Sequence, residues 1–149
     1  MFKRLFEFPT ASCYTETSMT NKQLIQKATD VVKTKKVQGG LIGDVGCALL
    51  SAKGKLYFGV CVSTGSNVLC AEKNAIGSML TAGEYKIKMI VAVWKDLKGD
   101  VYVIPPCGNC RQFIKEVDLT NLHTNVVLDA DKTVKLKELL PYNDSWMKQ

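Results

Sequence analysis

Apolar positions along the chain fall into short blocks whose period switches between helical and alternating. In TNKQLIQKATDVVKTKK, Leu24, Ile25, Ala28, Val31 and Val32 recur at helical spacing, with Thr20 or Asn21 available as the cap. After VQGGLIGDVG, which carries four glycines in ten residues, GCALLSA and KLYFGVCV flank Lys53-Gly54 and predict an antiparallel strand pair closed by a tight turn. STGSNVL predicts a loop into a second helix, from Cys70 to about Thr81, ending near Gly83. KIKMIVAVWK alternates and then saturates with apolar residues, as a central strand does. VYVIP is a short strand end that Pro105-Pro106 stops, and a third helix starts near Cys107 with Phe113, Ile114 and Val117 on one face. TNVVLDA predicts another strand, and TVKLKELLPY a last short strand running into a helical turn before Pro141. This order predicts an α/β layered domain with helices covering a mixed sheet.

Composition narrows the class. The 149 residues fit one domain, read as residues 20–149 behind a leader, 1–19, of unassigned role. Apolar residues make up 46% and charged residues 23%, the ordinary globular balance. No run approaches the ~20 apolar residues of a membrane helix. Glu7 interrupts the apolar stretch that a secretory signal would need, so the expected location is cytoplasmic. A net charge of +6 invites a nucleic-acid partner, but the lysines are scattered without an aromatic-basic cluster and read as a solvated basic surface. Six cysteines without an export signal point to ligands, catalytic groups or buried small hydrophobes rather than disulfides.

Two stretches carry chemistry. In NVLCAEKNAI, Ala71, Ala75, Ile76, Met79 and Leu80 form the buried stripe of a helix, whereas Cys70 and Glu72 lie off it. In IPPCGNCRQFI, a CxxC opens the next helix, where backbone N–H groups and the helix dipole favour anions. Cys70, Cys107 and Cys110 then make a three-thiolate zinc site with its fourth position free, the arrangement of a catalytic site. A redox CxxC would leave Cys70 and Glu72 without a role. Zinc deaminases carry a His or Cys followed two residues later by a non-ligand Glu, then PCxxC; here these read CAE and PCGNC.

Across residues 21–146, through GCALL, GKLYFGV, CAEKNAIGSM, PPCGNCRQF and ELLP, the chain resembles the cytidine deaminase family, specifically its small three-cysteine branch, which includes blasticidin-S deaminases. The resemblance implies a three-layer α/β/α fold with a mixed, about five-stranded sheet. It implies one Zn2+ per subunit on Cys70, Cys107 and Cys110, with the Arg111 guanidinium hydrogen-bonded to the ligand sulfurs. Glu72 would move protons between water, the pyrimidine ring nitrogen and the departing ammonia, and the backbone N–H of Ala71 would hold the ring carbonyl. It further implies cytidine or deoxycytidine as substrate in pyrimidine salvage, a homotetramer, and a small molecule rather than a polynucleotide, since the first ligand is Cys70 and not histidine.

The chain departs from that pattern on the sugar side. Gly43 stands where the family has an aromatic, and Cys61 and Ser63 stand where it has ribose-binding Asn and Glu, so blasticidin S or another aminated heterocycle is the alternative substrate. A third reading is a non-catalytic zinc-stabilised RNA-binding domain. Lys73 replaces an arginine, Asn67 either caps the helix or reaches substrate, and Tyr142 or Trp146 either closes over the base or packs at a subunit interface. His123 reads as a surface or capping residue, and Cys13, Cys47 and Cys61 as unligated thiols, the last two buried.

Overall fold

A computed structural model describes residues 18–144. The chain runs through α1 (Asn21–Asp30), β1 (Lys35–Val37), β2 (Gly40–Ser51), β3 (Leu56–Ser63), β4 (Val68–Leu69), α2 (Ala71–Thr81), β5 (Ile87–Lys95) and β6 (Val101–Ile104). It then continues through α3 (Gly108–Val117), a 3-10 turn (Leu119–His123), β7 (Asn125–Asp129), β8 (Lys132–Lys135) and α4 (Leu136–Leu139). Thr20 is the cap of α1: its hydroxyl accepts from the Gln23 N–H while the Gln23 side chain accepts from the Thr20 N–H, a reciprocal capping box.

The sheet has eight strands, in the order β4-β3-β2-β5-β7-β8, with β1 beside β2 and β6 beside β5. It is mixed, as expected, because β5 and β7 run parallel while the other pairs are antiparallel. The expected count of about five is corrected upward, partly by two strands hidden in stretches that pattern reading passes over. The glycine-rich segment forms a β1–β2 hairpin whose glycines permit close backbone approach: a Cβ at Gly39 would lie 2.1 Å from the Thr64 carbonyl oxygen, and one at Gly46 only 2.3 Å from that of Ala28. The expected loop 63–69 contains β4, two exposed residues paired to Val62 and Ser63 by register alone.

Both sheet faces are covered. Along β2, Cys47 and Leu49 point to one side, where they meet Ala75, Ile76 and Met79 of α2, Ile114 of α3 and Leu136 of α4. Ala48 and Leu50 point to the other, against Leu24 and Ala28 of α1. A central strand buried on both faces cannot alternate with polar residues, which is why β5 is apolar from Met89 to Val93. β5 pairs with β7 at Met89 and Ile90, but from Ala92 onward it pairs with β6. Where these neighbours part, Glu72, Ala92, Pro106 and Val126 line a narrow crevice.

Candidate active site

Two helix starts converge at this split. Cys70 caps α2 in extended conformation (φ −66°, ψ 147°), and its carbonyl accepts the Asn74 N–H at 3.1 Å. Cys107 caps α3 in the same way (φ −64°, ψ 165°), its carbonyl accepting from Arg111 at 3.0 Å. Neither thiol makes the usual side-chain cap, so both sulfurs are free to face outward from their helices. Cys110, in the first turn of α3, is fully buried and completes the group: the three sulfurs lie within 4.8 Å of one another. A tetrahedral zinc about 2.3 Å from each sulfur needs them roughly 3.8 Å apart, so this donor set fits the metal with little adjustment.

The thiols differ in acidity. Burial works against ionisation of Cys107, but N–H groups of Cys110 and Asn109 and the neighbouring thiols outweigh it, and its pKa lies below the usual thiol value. Burial pushes Cys70 up, and it pushes Cys110 up well beyond the usual range with help from the Glu72 charge. Without a cation the cluster therefore holds protons that metal binding would displace.

Glu72 sits in the first turn of α2, only 5% exposed, in hydrogen-bond contact with the Cys110 thiol. Burial raises its pKa, the condition for a carboxyl group that must both take and give a proton. Beneath it, on β2, lies Cys47, whose own pKa rises through burial and the Glu72 charge. Ala71, at the first helical position, is 1% exposed, and its N–H belongs to the unpaired first turn.

The structure differs from expectation around this centre. Arg111 directs Nε to the Pro106 carbonyl (2.7 Å) and Nη1 to the Leu139 carbonyl (2.9 Å), so these donors tie the CxxC loop to α4 rather than bonding the sulfurs. Lys73 lies over the Phe113 ring, 5.5 Å from its centroid, linking α2 to α3. Asn67 does not cap α2: its carbonyl accepts from Thr64 in a tight turn, and Cys70 holds the cap position. Ser63 pairs with Val68, and its hydroxyl lies beside Gly40. Cys61 is half-buried rather than buried, donating its thiol to Asp44 at 2.9 Å and accepting the Val45 N–H at 3.3 Å. His123 is exposed, and Lys135 donates to its carbonyl. Trp146 and Cys13 lie outside the described residues. Two polar groups escaped the sequence reading. Lys115 is buried on α3, where it holds Asp144 and the Asn143 carbonyl; Asp44 is turned inward by a bulge for which Gly43 was the available signal.

The family model for the cytidine and deoxycytidylate deaminase zinc-binding region matches residues 18–125. A probable cytidine deaminase of Dictyostelium discoideum is 42% identical over 71 residues, 46% of this chain and 46% of that protein. A cytidine deaminase of Mycoplasma genitalium is 38% identical over 74 residues, 48% of this chain and 54% of that protein. The chain thus spans about half the length of the curated relatives it matches. Among solved structures, a cytidine deaminase from Burkholderia pseudomallei superposes with a TM-score of 0.66 at 30% identity, covering 83% of this chain and 98% of that one. One from Mycobacterium leprae gives 0.65 at 25% identity, covering 80% and 96%.

Proposed function

Because the chain belongs to the family of the cytidine and deoxycytidylate deaminase zinc-binding region, we propose that it hydrolyses cytidine or deoxycytidine: water replaces the C4 amino group, giving uridine or deoxyuridine and ammonia. The observation that carries this reading is a buried carboxyl, Glu72, set against a cluster of three thiols at two helix starts. A structural zinc site needs no such group.

Zinc held by Cys70, Cys107 and Cys110 would supply the Lewis acidity that activates water at neutral pH. Glu72 accepts one proton of that water and passes it to ring N3; it then takes the second from the hydroxyl now on C4 and hands it to the amine as the C4–N bond breaks. A raised pKa suits both directions of transfer. The Ala71 N–H, at the positive end of α2, holds the ring carbonyl and so fixes which ring atom meets Glu72. Arg111 positions the ligands by clamping the Pro106 carbonyl immediately before Cys107.

A nucleoside substrate, pyrimidine salvage in the cytoplasm and a homotetrameric assembly belong to this reading. The nucleoside substrate is supported by the solved cytidine deaminases that the chain resembles, and the other two are what the family resemblance implies. Ammonia release from zinc-loaded protein, measured against cytidine, deoxycytidine, cytosine, CMP and blasticidin S with Glu72→Ala as control, tests it. Turnover of cytidine that Glu72→Ala abolishes is expected; an inert wild type, or an active Glu72→Ala, overturns it. Light scattering at a monomer mass would remove the tetramer.

A further inference from the structure

The reaction leaves one half-buried carboxylate without a task, and β2 is bent to present it. Ile42 pairs with Val62 and Gly46 with Val60, so three residues of β2 stand opposite Cys61 alone. Gly43 makes this bulge possible with φ +76°, and its carbonyl anchors the bulge by accepting the Lys33 N–H at 3.0 Å. A side chain at Gly43 would also run into the Lys33 carbonyl, 2.5 Å from its Cβ. As a result, Asp44 Oδ1 meets the Cys61 thiol at 2.9 Å, while the Val45 N–H reaches the same sulfur.

β3 runs antiparallel to α2, which places this pair relative to the site. The Phe58 carbonyl meets Ser78, the Val60 carbonyl meets Asn74, and Val62 pairs with Leu69, the residue before Cys70. Gly59 lies directly under the start of α2, where an added Cβ would come 2.4 Å from the Ala71 carbonyl. Cys61 is one two-residue step further on, about 7 Å, and packs with Val45 against the cluster that contains Ala71 and Cys47. Asp44, whose Oδ1 meets Cys61, therefore lies on the β3 side of the start of α2, the helix that carries Glu72.

We propose that Asp44, oriented by Cys61, binds the hydroxyl groups of a sugar attached to the reacting ring and so sets the selectivity for nucleosides over free bases. This rests on the deaminase reading above. A thiol is a weak hydrogen-bond donor, so the carboxylate keeps acceptor capacity that a sugar hydroxyl can use. The chain thereby supplies from β2 an acid that its own β3 positions, Cys61 and Ser63, do not carry.

The test is equilibrium binding, by calorimetry or NMR titration, of cytidine and of 1-methylcytosine to zinc-loaded protein carrying Glu72→Ala so that cytidine is not consumed, with position 44 as in wild type or changed as Asp44→Ala or Asp44→Asn. With Asp44 in place, cytidine is expected to bind more tightly; Asp44→Ala should weaken cytidine about 10- to 100-fold and leave 1-methylcytosine within a factor of three. Asp44→Asn, which preserves shape and one acceptor, should fall between. Equal losses for both ligands, no loss for cytidine, or equal binding of the two with Asp44 in place would each overturn the proposal. Because binding is read rather than turnover, the Asp44-dependent preference upholds this inference even where the wild type proves inert and the hydrolytic reading fails.

Discussion

Two glutamates mark the ends of α2 and are buried almost equally, Glu72 at 5% exposure before the helix is one turn old and Glu84 at 4% just beyond its last turn. The helix dipole alone would ionise Glu72 more readily and Glu84 less. The structure does the reverse. Burial raises the pKa of Glu72, and its own N–H and the Cys110 thiol, which oppose the shift, do not outweigh it. Burial also opposes ionisation of Glu84, but Ser51, Tyr57 and Lys55 outweigh it and its pKa falls below the usual carboxylate value. Its Oε1 collects both the Tyr57 hydroxyl, at 2.9 Å, and the Lys55 ammonium, at 3.4 Å. The difference teaches that helix polarity does not decide the acidity of these two acids: the donors around Glu84 outweigh its burial, and those around Glu72 do not. One oxygen of Glu84 is held by Tyr57 and Lys55 and ties the end of α2 to β3, whereas Glu72, beside the thiol cluster, keeps a raised pKa.

The comparison can be broken at the Glu72 end first. Stripping zinc with a chelator should abolish deamination, with recovery on adding zinc back; Cys107→Ala should be inactive and should not recover, and metal content by mass spectrometry checks both. Glu72→Gln should lower kcat about 10²- to 10⁴-fold while zinc stoichiometry and melting temperature stay near wild type. A loss of zinc in that variant would make Glu72 a ligand rather than a proton carrier. Arg111→Lys should weaken zinc binding about 10- to 100-fold, because lysine cannot reach the Pro106 and Leu139 carbonyls together as a planar fork does.

At the other end, Glu84→Gln should cost about 1 to 3 kcal/mol of stability in denaturant melts and leave kcat/KM unchanged. The pH dependence sharpens the contrast. Glu84 is ionised more readily when folded than its ordinary value of 4.5 allows, so its stabilisation is complete above that pH and fades as pH falls through the lowered folded value. Tyr57 is raised from 10.0 to about 12 by burial and by its bond to Glu84, so its contribution holds below pH 10 and fades as pH climbs toward 12. Tyr57→Phe should flatten that alkaline limb; an unchanged profile would mean that the hydroxyl does not carry the effect.

What was legible in the chain is what local periodicity and short spacing encode. The helices at Asn21, Ala71 and Gly108, the strand pair around Lys53-Gly54 and the apolar β5 all follow from repeats within one element. Cys70, Glu72, Cys107 and Cys110 were legible because metal and proton chemistry need particular side chains at fixed offsets from a helix start. Hidden from such reading were β1, which pairs with β2 across a turn whose Gly39 lies against Thr64, and β4, which owes its existence to its neighbour.

By itself, then, the sequence determined the layered α/β class, the three thiols and the acid two residues after the first of them, since each is a matter of residue type and separation along one segment. Only the tertiary structure decided that Arg111 reaches carbonyls, that Lys73 covers Phe113, that Asp44 turns toward Cys61 and that Glu72 and Glu84 take opposite acidities. The physical reason is common to all four: each depends on which donor or ring a separate segment brings within a few ångströms, and no periodicity within one segment records that.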